Sequence, residues 1–355
     1  MTSTKRLRIG VVASNRHPIA EPFAGGMESH TWTLAHGLTG RGHTVRVYAG
    51  AGSDPSLGQV HVLDDSPLRL TADARSDASM PAEPFMRDHH AYQRLMLRLA
   101  ADPGVDVVHN NSLHYLPVAM AGTLRCPAVT TLHTPPTPWL ESAASGGDRS
   151  VFVAVSEHTA SRWSQRLDVA TVIANGIDLD RWHVGGGAGG YAVWSGRLVP
   201  EKGAHLAVAA AAAVGIPLML AGPAPDPAYL HGVLGPTLGH DARWLGHLDH
   251  PALARLVGSA AVAVVTPCWD EPYGLVVAEA LATGTPVAAF ARGAVPELVT
   301  ERCATLAEPG DVAGLAAAIL RSSGLSRGDA RAHAVQTCSA ARMIDEYEQL
   351  YRSLA

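Results

Sequence analysis

The sequence predicts an α/β protein built from two Rossmann-like domains in tandem, and three observations carry that expectation. At 355 residues the chain is longer than one hydrophobic core usually organises, so it should divide in two. Short, β-branched, apolar runs alternate with helical patterns along its whole length, which is the rhythm of βαβ units in parallel sheets. A glycine cluster, "HVGGGAGG" ending at Gly190, falls between two such alternations.

The first alternation places strands at 7–13, 44–49, 59–63, 105–110, 128–133, 151–156 and 170–175, with helices over 25–41 and 90–101. A phosphate loop would follow a strand and open a helix, whereas the glycine cluster precedes a strand at 191–195. It is therefore read as a flexible linker over 183–190, separating domains at 1–182 and 191–337. The second alternation continues with helix 201–213, strands 217–221 and 242–246, helix 249–258 and strand 261–266. A helix opening near Tyr273-Gly274 follows, then strands 286–290 and 304–308, helix 311–322 and a last helix from about 338. Ligands of such sheets sit beyond the carboxyl ends of the strands, so two facing sheets should share a cleft.

Composition narrows the function. The net charge is −5, with 47% apolar and 17% charged residues, which suits a globular protein and argues against nucleic acid, whose binding needs a basic face. Neither half is basic: Lys+Arg against Asp+Glu is 16 to 17 up to residue 182 and 11 to 15 after it. A polybasic membrane anchor is therefore not expected, nor is an integral membrane segment, since no run approaches the roughly 18 apolar residues of a span. Four scattered cysteines without a C-x-x-C pair read as reduced thiols of a cytoplasmic protein. The start, "MTSTKRLRIGVVAS", reads as a polar lead into a strand and not as a signal peptide. The 18 histidines show no metal-ligand spacing, so no metal cofactor is expected.

The chemistry gathers in "TPCWDEPYGLVVAEALATGTPVAAF", residues 266–290, with Glu271 and Glu279 eight positions apart. A helix N-terminus carries unpaired N–H groups and about half a positive charge, so it can hold a phosphate. Gly274 would let a ligand approach the backbone, and the amides of Tyr273, Gly274, Leu275 and Val276 would face it. If all eight steps were helical, the two carboxylates would stand about 12 Å apart, near the separation of two sugars joined by a diphosphate. Arg197 and Lys202, in "WSGRLVPEKGAHLA", bracket a strand-to-helix turn from which both cations can reach one pyrophosphate, with the charge-assisted contacts that favour a departing diphosphate.

These stretches carry a resemblance. "SGRLVPEKG", "WLGHLDHPALARLVGSAAVAVVTPCWDEPYGLVVAEALATGTPVAA" and "GAVPELV" resemble the donor domain of family 4 retaining glycosyltransferases, which have the GT-B fold. "FAGGMESHTWTLAHGLTGRGHTVRVYA", "DVVHNNS", "TTLHTP", "FVAVSE" and "VIANGID" match that family's first-domain motifs in order. The resemblance implies two domains facing across a cleft, with a C-terminal helix (about 338–355) crossing back to the first. It implies a nucleotide-sugar donor, UDP leading on family frequency, whose diphosphate is bound by Arg197 and Lys202. Glu271 would meet the transferred sugar, Glu279 the ribose and Leu245 the nucleobase, while Gly26 would offer its amide from the other domain. His133 would lie at the reacting face, and Asn175-Gly176 would border the cleft.

His109, Asn110 and Trp139 are acceptor-side candidates, with Trp139 in an irregular loop, 134–147, that could stack on a sugar ring. A small soluble acceptor or glycoside is expected, lying on the first domain near residues 14–24 and 133–147, with a lipid-linked or cell-surface acceptor as the alternative. The two glutamates are too far apart for a glycosidase-like double displacement, which needs carboxylates about 5 Å apart. The resemblance implies front-face substitution without a metal, the two cations taking the ion's part. A nicotinamide-dependent oxidoreductase would need G-x-G-x-x-G after the first strand, where the chain reads "SNRHPIAEPFAGG". A non-catalytic sugar-nucleotide sensor is the remaining alternative.

Overall fold

The computed structural model describes residues 6–63, 66–145 and 149–355; the polar lead through Lys5 and the end of the loop expected at 134–147 lie outside them. Two parallel sheets make up the chain. The first runs β3-β2-β1-β4-β5-β6-β7, with β1 Arg8–Val12, β2 Thr44–Ala49, β3 Gln59–Val62, β4 Val107–Asn110, β5 Ala128–Leu132, β6 Ser150–Ala154 and β7 Val169–Val172. The second runs β10-β9-β8-β11-β12-β13, with β8 Ala192–Ser195, β9 Leu218–Ala221, β10 Ala242–Trp244, β11 Val262–Val265, β12 Val287–Phe290 and β13 Ala304–Ala307. In each the order reverses once, between β1 and β4 and between β8 and β11. The crevice at such a reversal is where these folds bind ligands.

The longer helices are α1 Gly26–Gly40, α2 Glu83–Ala101, α3 Pro138–Ala144, α4 Glu157–Trp163, α5 Ala204–Ala213, α6 His250–Ser259, α7 Leu275–Ala282, α8 Val312–Ser322, α9 Arg327–Thr337 and α10 Ala340–Leu354. The expected strands appear within a few residues of their predicted bounds. α10 is strongly amphipathic and crosses to the first domain, burying Met343, Ile344, Tyr347 and Tyr351 beside Leu34, Leu38 and Val11. A Cβ on Gly37 would lie 2.0 Å from Ile344 Cδ1, so α1 and α10 pack closely only because position 37 has no side chain. The two crossings of the chain run side by side: Ile177 N donates to Cys338 O and Ala340 N to Ile177 O, each at 2.8 Å.

The stretch 183–190 is not the flexible spacer expected of its glycines. Gly185, Gly187 and Gly189 donate to Thr283 O, Gly258 O and Ser259 O, and a Cβ on Gly185 would stand 2.0 Å from Gly258 O. The glycines let one backbone lie directly on another. Arg327 fastens the strap, donating to the carbonyls of Gly185, Gly258, Ala260 and Thr283. α9, which supplies Arg327 and Arg331, was not anticipated, nor was α3, which replaces half of the irregular loop at 134–147.

Candidate active site

A cavity of about 490 Å³ lies between the carboxyl ends of the two sheets, lined from both domains. The second-domain wall comes from turns after β8, β9 and β11 and from the mouth of α7. Gly196 and Gly222 allow the first two turns to touch: a Cβ on Gly222 would sit 1.8 Å from Gly196 O. Gly203, at φ +66, similarly leaves room for Thr266 O. The Thr266 hydroxyl, 2.9 Å from the carbonyls of Lys202 and Gly203, pins the turn that carries Lys202.

Lys202 Nζ donates to Glu271 Oε2 at 2.6 Å, and Trp269 Nε1 donates to the same oxygen at 3.0 Å. The Lys202 ammonium also sits 5.3 Å from the Trp269 ring centroid. Arg197, half exposed, faces Glu201 at only 3.8 Å, a surface pairing of little strength, so its guanidinium remains available to a ligand.

α7 begins at Leu275, with Gly274 at φ +103 as its cap. Residues 271–274 are not helical, so the 12 Å helical estimate between Glu271 and Glu279 does not apply. The amides of Gly274, Leu275 and Val276 have no carbonyl partner among the described residues; the first bond of the helix runs from Val277 N to Gly274 O. Tyr273 is buried, its hydroxyl donating to Asn175 O in the first domain at 2.7 Å. Glu279 lines the cavity from one turn inside α7; its carboxylate has no hydrogen-bond partner among the described residues and is pushed by burial up to about 7.

From the other side, Gly26 opens α1, and a Cβ there would stand 2.9 Å from Leu275 Cδ1. Two helix N-termini, one from each domain, therefore meet at the cavity. Their partial positive charges add to those of Arg197 and Lys202. His133 lies past the end of β5. Its Nε2 must donate to Asn111 Oδ1 at 2.9 Å, because an amide oxygen only accepts. Nδ1 is then the lone-pair nitrogen, with no partner among the described residues. Burial, with His30 and His109 nearby, holds the ring well below its ordinary value, so it is a neutral hydrogen-bond acceptor.

The acceptor-side candidates fare differently. His109 is fully buried, bonded through Nε2 to Thr131 Oγ1 at 2.7 Å and through Nδ1 to Tyr351 OH at 2.6 Å. It joins β4 to α10 and does not reach the cavity. Asn110 is buried too, its Oδ1 accepting from Ser112 N and Oγ. Trp139 is 59% exposed on α3 and lies off the cavity lining. Leu245, 42% exposed after β10, is likewise off the lining, where its neighbours His247 and Leu248 stand. Arg16 and His17, within the stretch 14–24 expected on the acceptor side, line the cavity where they follow β1 at the strand-order reversal; Arg181 lines it too and was not anticipated. Arg181 pairs with Glu21 and lies 4.8 Å over the Trp32 ring, a juxtaposition that no local pattern announces.

Residues 24–181 match the Glycosyltransferase Family 4 profile and residues 189–323 that of Glycosyl transferases group 1. This chain is a family 4 glycosyltransferase. The glycogen synthase of Mycobacterium tuberculosis is 29% identical over 88% of this glycosyltransferase and 85% of its own length. The phosphatidyl-myo-inositol mannosyltransferase of Mycobacterium leprae is 28% identical over 88% and 87%. Anabaena Alr3699/HepE, solved in complex with UDP and glucose, superposes with a TM-score of 0.77 at 20% identity, over 98% of this chain and all of that one. The enzyme thus has the GT-B fold. No helix among its described residues is long and apolar enough to cross a membrane, and no group of three or more metal-ligating side chains occurs among them.

Proposed function

We propose that this glycosyltransferase moves a sugar from a nucleotide diphosphate sugar, foremost a UDP-sugar, to a hydroxyl of a small soluble acceptor or a glycoside, with retention at the anomeric carbon. The observation that carries the reading is the convergence of Arg197, Lys202 and two helix N-termini on one cavity. Such a set of preorganised positive charges is what a departing diphosphate requires. Arg197 and Lys202 would neutralise it without a divalent ion. Glu271, now held by Lys202 and Trp269, would accept from hydroxyls of the transferred sugar, and Glu279 from the ribose.

In the transfer, the bond from the anomeric carbon to the phosphate oxygen breaks and the acceptor oxygen attacks from the same face. Its proton passes to the leaving phosphate oxygen. His133 Nδ1, an acceptor only, would orient a sugar hydroxyl beside that face. The protein's part is electrostatic stabilisation and alignment, not covalent attack. The UDP and glucose held by Alr3699/HepE support the donor class.

The test is a thermal-shift screen of UDP-, GDP- and ADP-sugars in the presence of a chelator, followed by mass-spectrometric acceptor screening and NMR of the product's anomeric proton. A UDP-sugar should give the largest shift, and the product should keep the donor's configuration. Inverted product, or transfer that stops when divalent ions are chelated, would overturn the mechanism.

A further inference from the structure

Outside the cavity, the first domain carries an aromatic surface that the reaction above does not use. Trp139 on α3 is stacked on Tyr115, with ring centroids 5.2 Å apart and planes at 27°, and Phe85 on α2 lies 5.7 Å from Trp139. Trp139 and Phe85 are 59% and 40% exposed, although one face of the indole is already covered. Singly exposed aromatic residues are ordinary, but contiguous exposed rings on a soluble surface mark a recognition site. The platform is supported from below: Tyr115 OH meets His89 Nδ1 at 2.7 Å, and His114 is sandwiched between Tyr115 and Tyr92. It therefore does not collapse to hide its rings.

Both supporting chain segments come directly from the cavity wall. Leu113 and Thr134 line the cavity; Tyr115 follows the first by two residues and Trp139 the second by five. The platform is thus tied to the cavity wall through two short stretches of chain.

Resting on the glycosyltransferase reading, we propose that Trp139, Phe85 and Tyr115 form an outer subsite for a further pyranose ring of a carbohydrate acceptor. Its axial C–H face would lie on the indole. The His89 imidazole, 6.2 Å from Phe85 and 5.9 Å from Tyr115, suits a hydroxyl on the sugar's edge. An anionic membrane surface is disfavoured by charge: α2 and α3 carry Glu83, Asp88 and Glu141 against Arg87, Arg94 and Arg98, and such surfaces select an excess of Lys and Arg.

The test is native electrophoresis of the whole protein through gels containing glycogen, α-mannan or a β-glucan, compared with a gel without polysaccharide. Retardation is expected in at least one, with apparent affinity at least roughly tenfold weaker for Trp139→Ala and weaker for Phe85→Ala, base stacking on aromatic rings being the comparable case. Both variants should keep the parent's melting temperature, since the substituted rings are exposed. No retardation in any of the three gels overturns the subsite, as does undiminished retardation of folded Trp139→Ala. Flotation with anionic vesicles that depends on Trp139 overturns it in favour of a lipid surface. The donor reading is judged separately, by the thermal shift of the wild-type protein with nucleotide-sugars, so either proposal can fail alone.

Discussion

The two walls of the cavity are built on different principles. The second-domain wall holds its chemistry in short turns directly after successive strands, with Arg197, Lys202, Glu271 and the α7 mouth all inside βα units. The first-domain wall is an assembly: His133 follows β5, its partner Asn111 follows β4, and His30 of α1 stands edge-on to His133 with centroids 4.8 Å apart. One wall is a row of local motifs, the other a product of packing. Charge placed by a local turn can be read from sequence, whereas the state of a buried imidazole depends on everything packed against it.

The charged wall should be the more sensitive to single substitutions. Lys202→Ala is expected to slow transfer on the order of 10³-fold, the scale of losing one preorganised donor at a developing charge. Arg197→Ala should cost somewhat less, because the guanidinium is half exposed. Steady-state rates on the identified donor check both, and near-normal turnover in the pair would remove the distinction between the walls. On the packed wall, His133→Ala should lower kcat by roughly ten- to a hundredfold, as for one orienting hydrogen bond. The rate limb of a titrating His133 should be absent from the pH profile between pH 5 and 8, because burial keeps that ring neutral. His109→Phe, one strand away, should leave kcat within about twofold yet lower the melting temperature by several degrees. It leaves the buried hydroxyls of Tyr351 and Thr131 without the ring nitrogens, at about 1–3 kcal/mol.

The seam between the walls gives a smaller effect. Gly26→Val places branched carbon where Leu275 now sits, and should weaken nucleotide-sugar binding about tenfold by holding the two helix mouths apart, measurable by titration calorimetry. Glu279 offers the subtlest contrast. Its carboxyl titrates near 7 in the folded protein against an ordinary 4.5. Below about pH 4.5 it is neutral in folded and unfolded chains alike, and above pH 7 the folded state carries an ionised carboxylate that its partly buried setting disfavours. Glu279→Gln should therefore raise the melting temperature at pH 8 by ~2 °C or more, and leave it unchanged at pH 4. A gain that is equal at both pH values would contradict the burial argument.

The same division explains what could be read in advance. Strand runs, the Arg197–Lys202 turn and the Gly274 cap were legible because each is a contiguous pattern with a local physical cause. His109 was misread because its fate is set by Tyr351, 242 positions along the chain, and nothing near β4 signals that a terminal helix will cover it. The strap at 183–190 looked flexible because glycine is permissive. The backbone of α6 and the guanidinium of Arg327, neither adjacent in sequence, turn that permissiveness into close packing. α9 escaped notice because "RGDARAHAVQT" lacks a strong apolar stripe; its arginines instead satisfy carbonyls at the domain junction. Leu245 was placed by family likeness alone, and it is His247 and Leu248, two and three residues further on, that line the cavity.

The account rests on a diphosphate bound by Arg197, Lys202 and the paired helix mouths. Calorimetric titration of UDP and of uridine into the wild type and the Arg197→Ala/Lys202→Ala double variant tests this most directly. UDP should bind the wild type at least roughly a hundredfold more tightly than uridine, and the double variant should lose most of that advantage while still folding. A double variant that retains the full preference for UDP would place the diphosphate elsewhere and contradict the account.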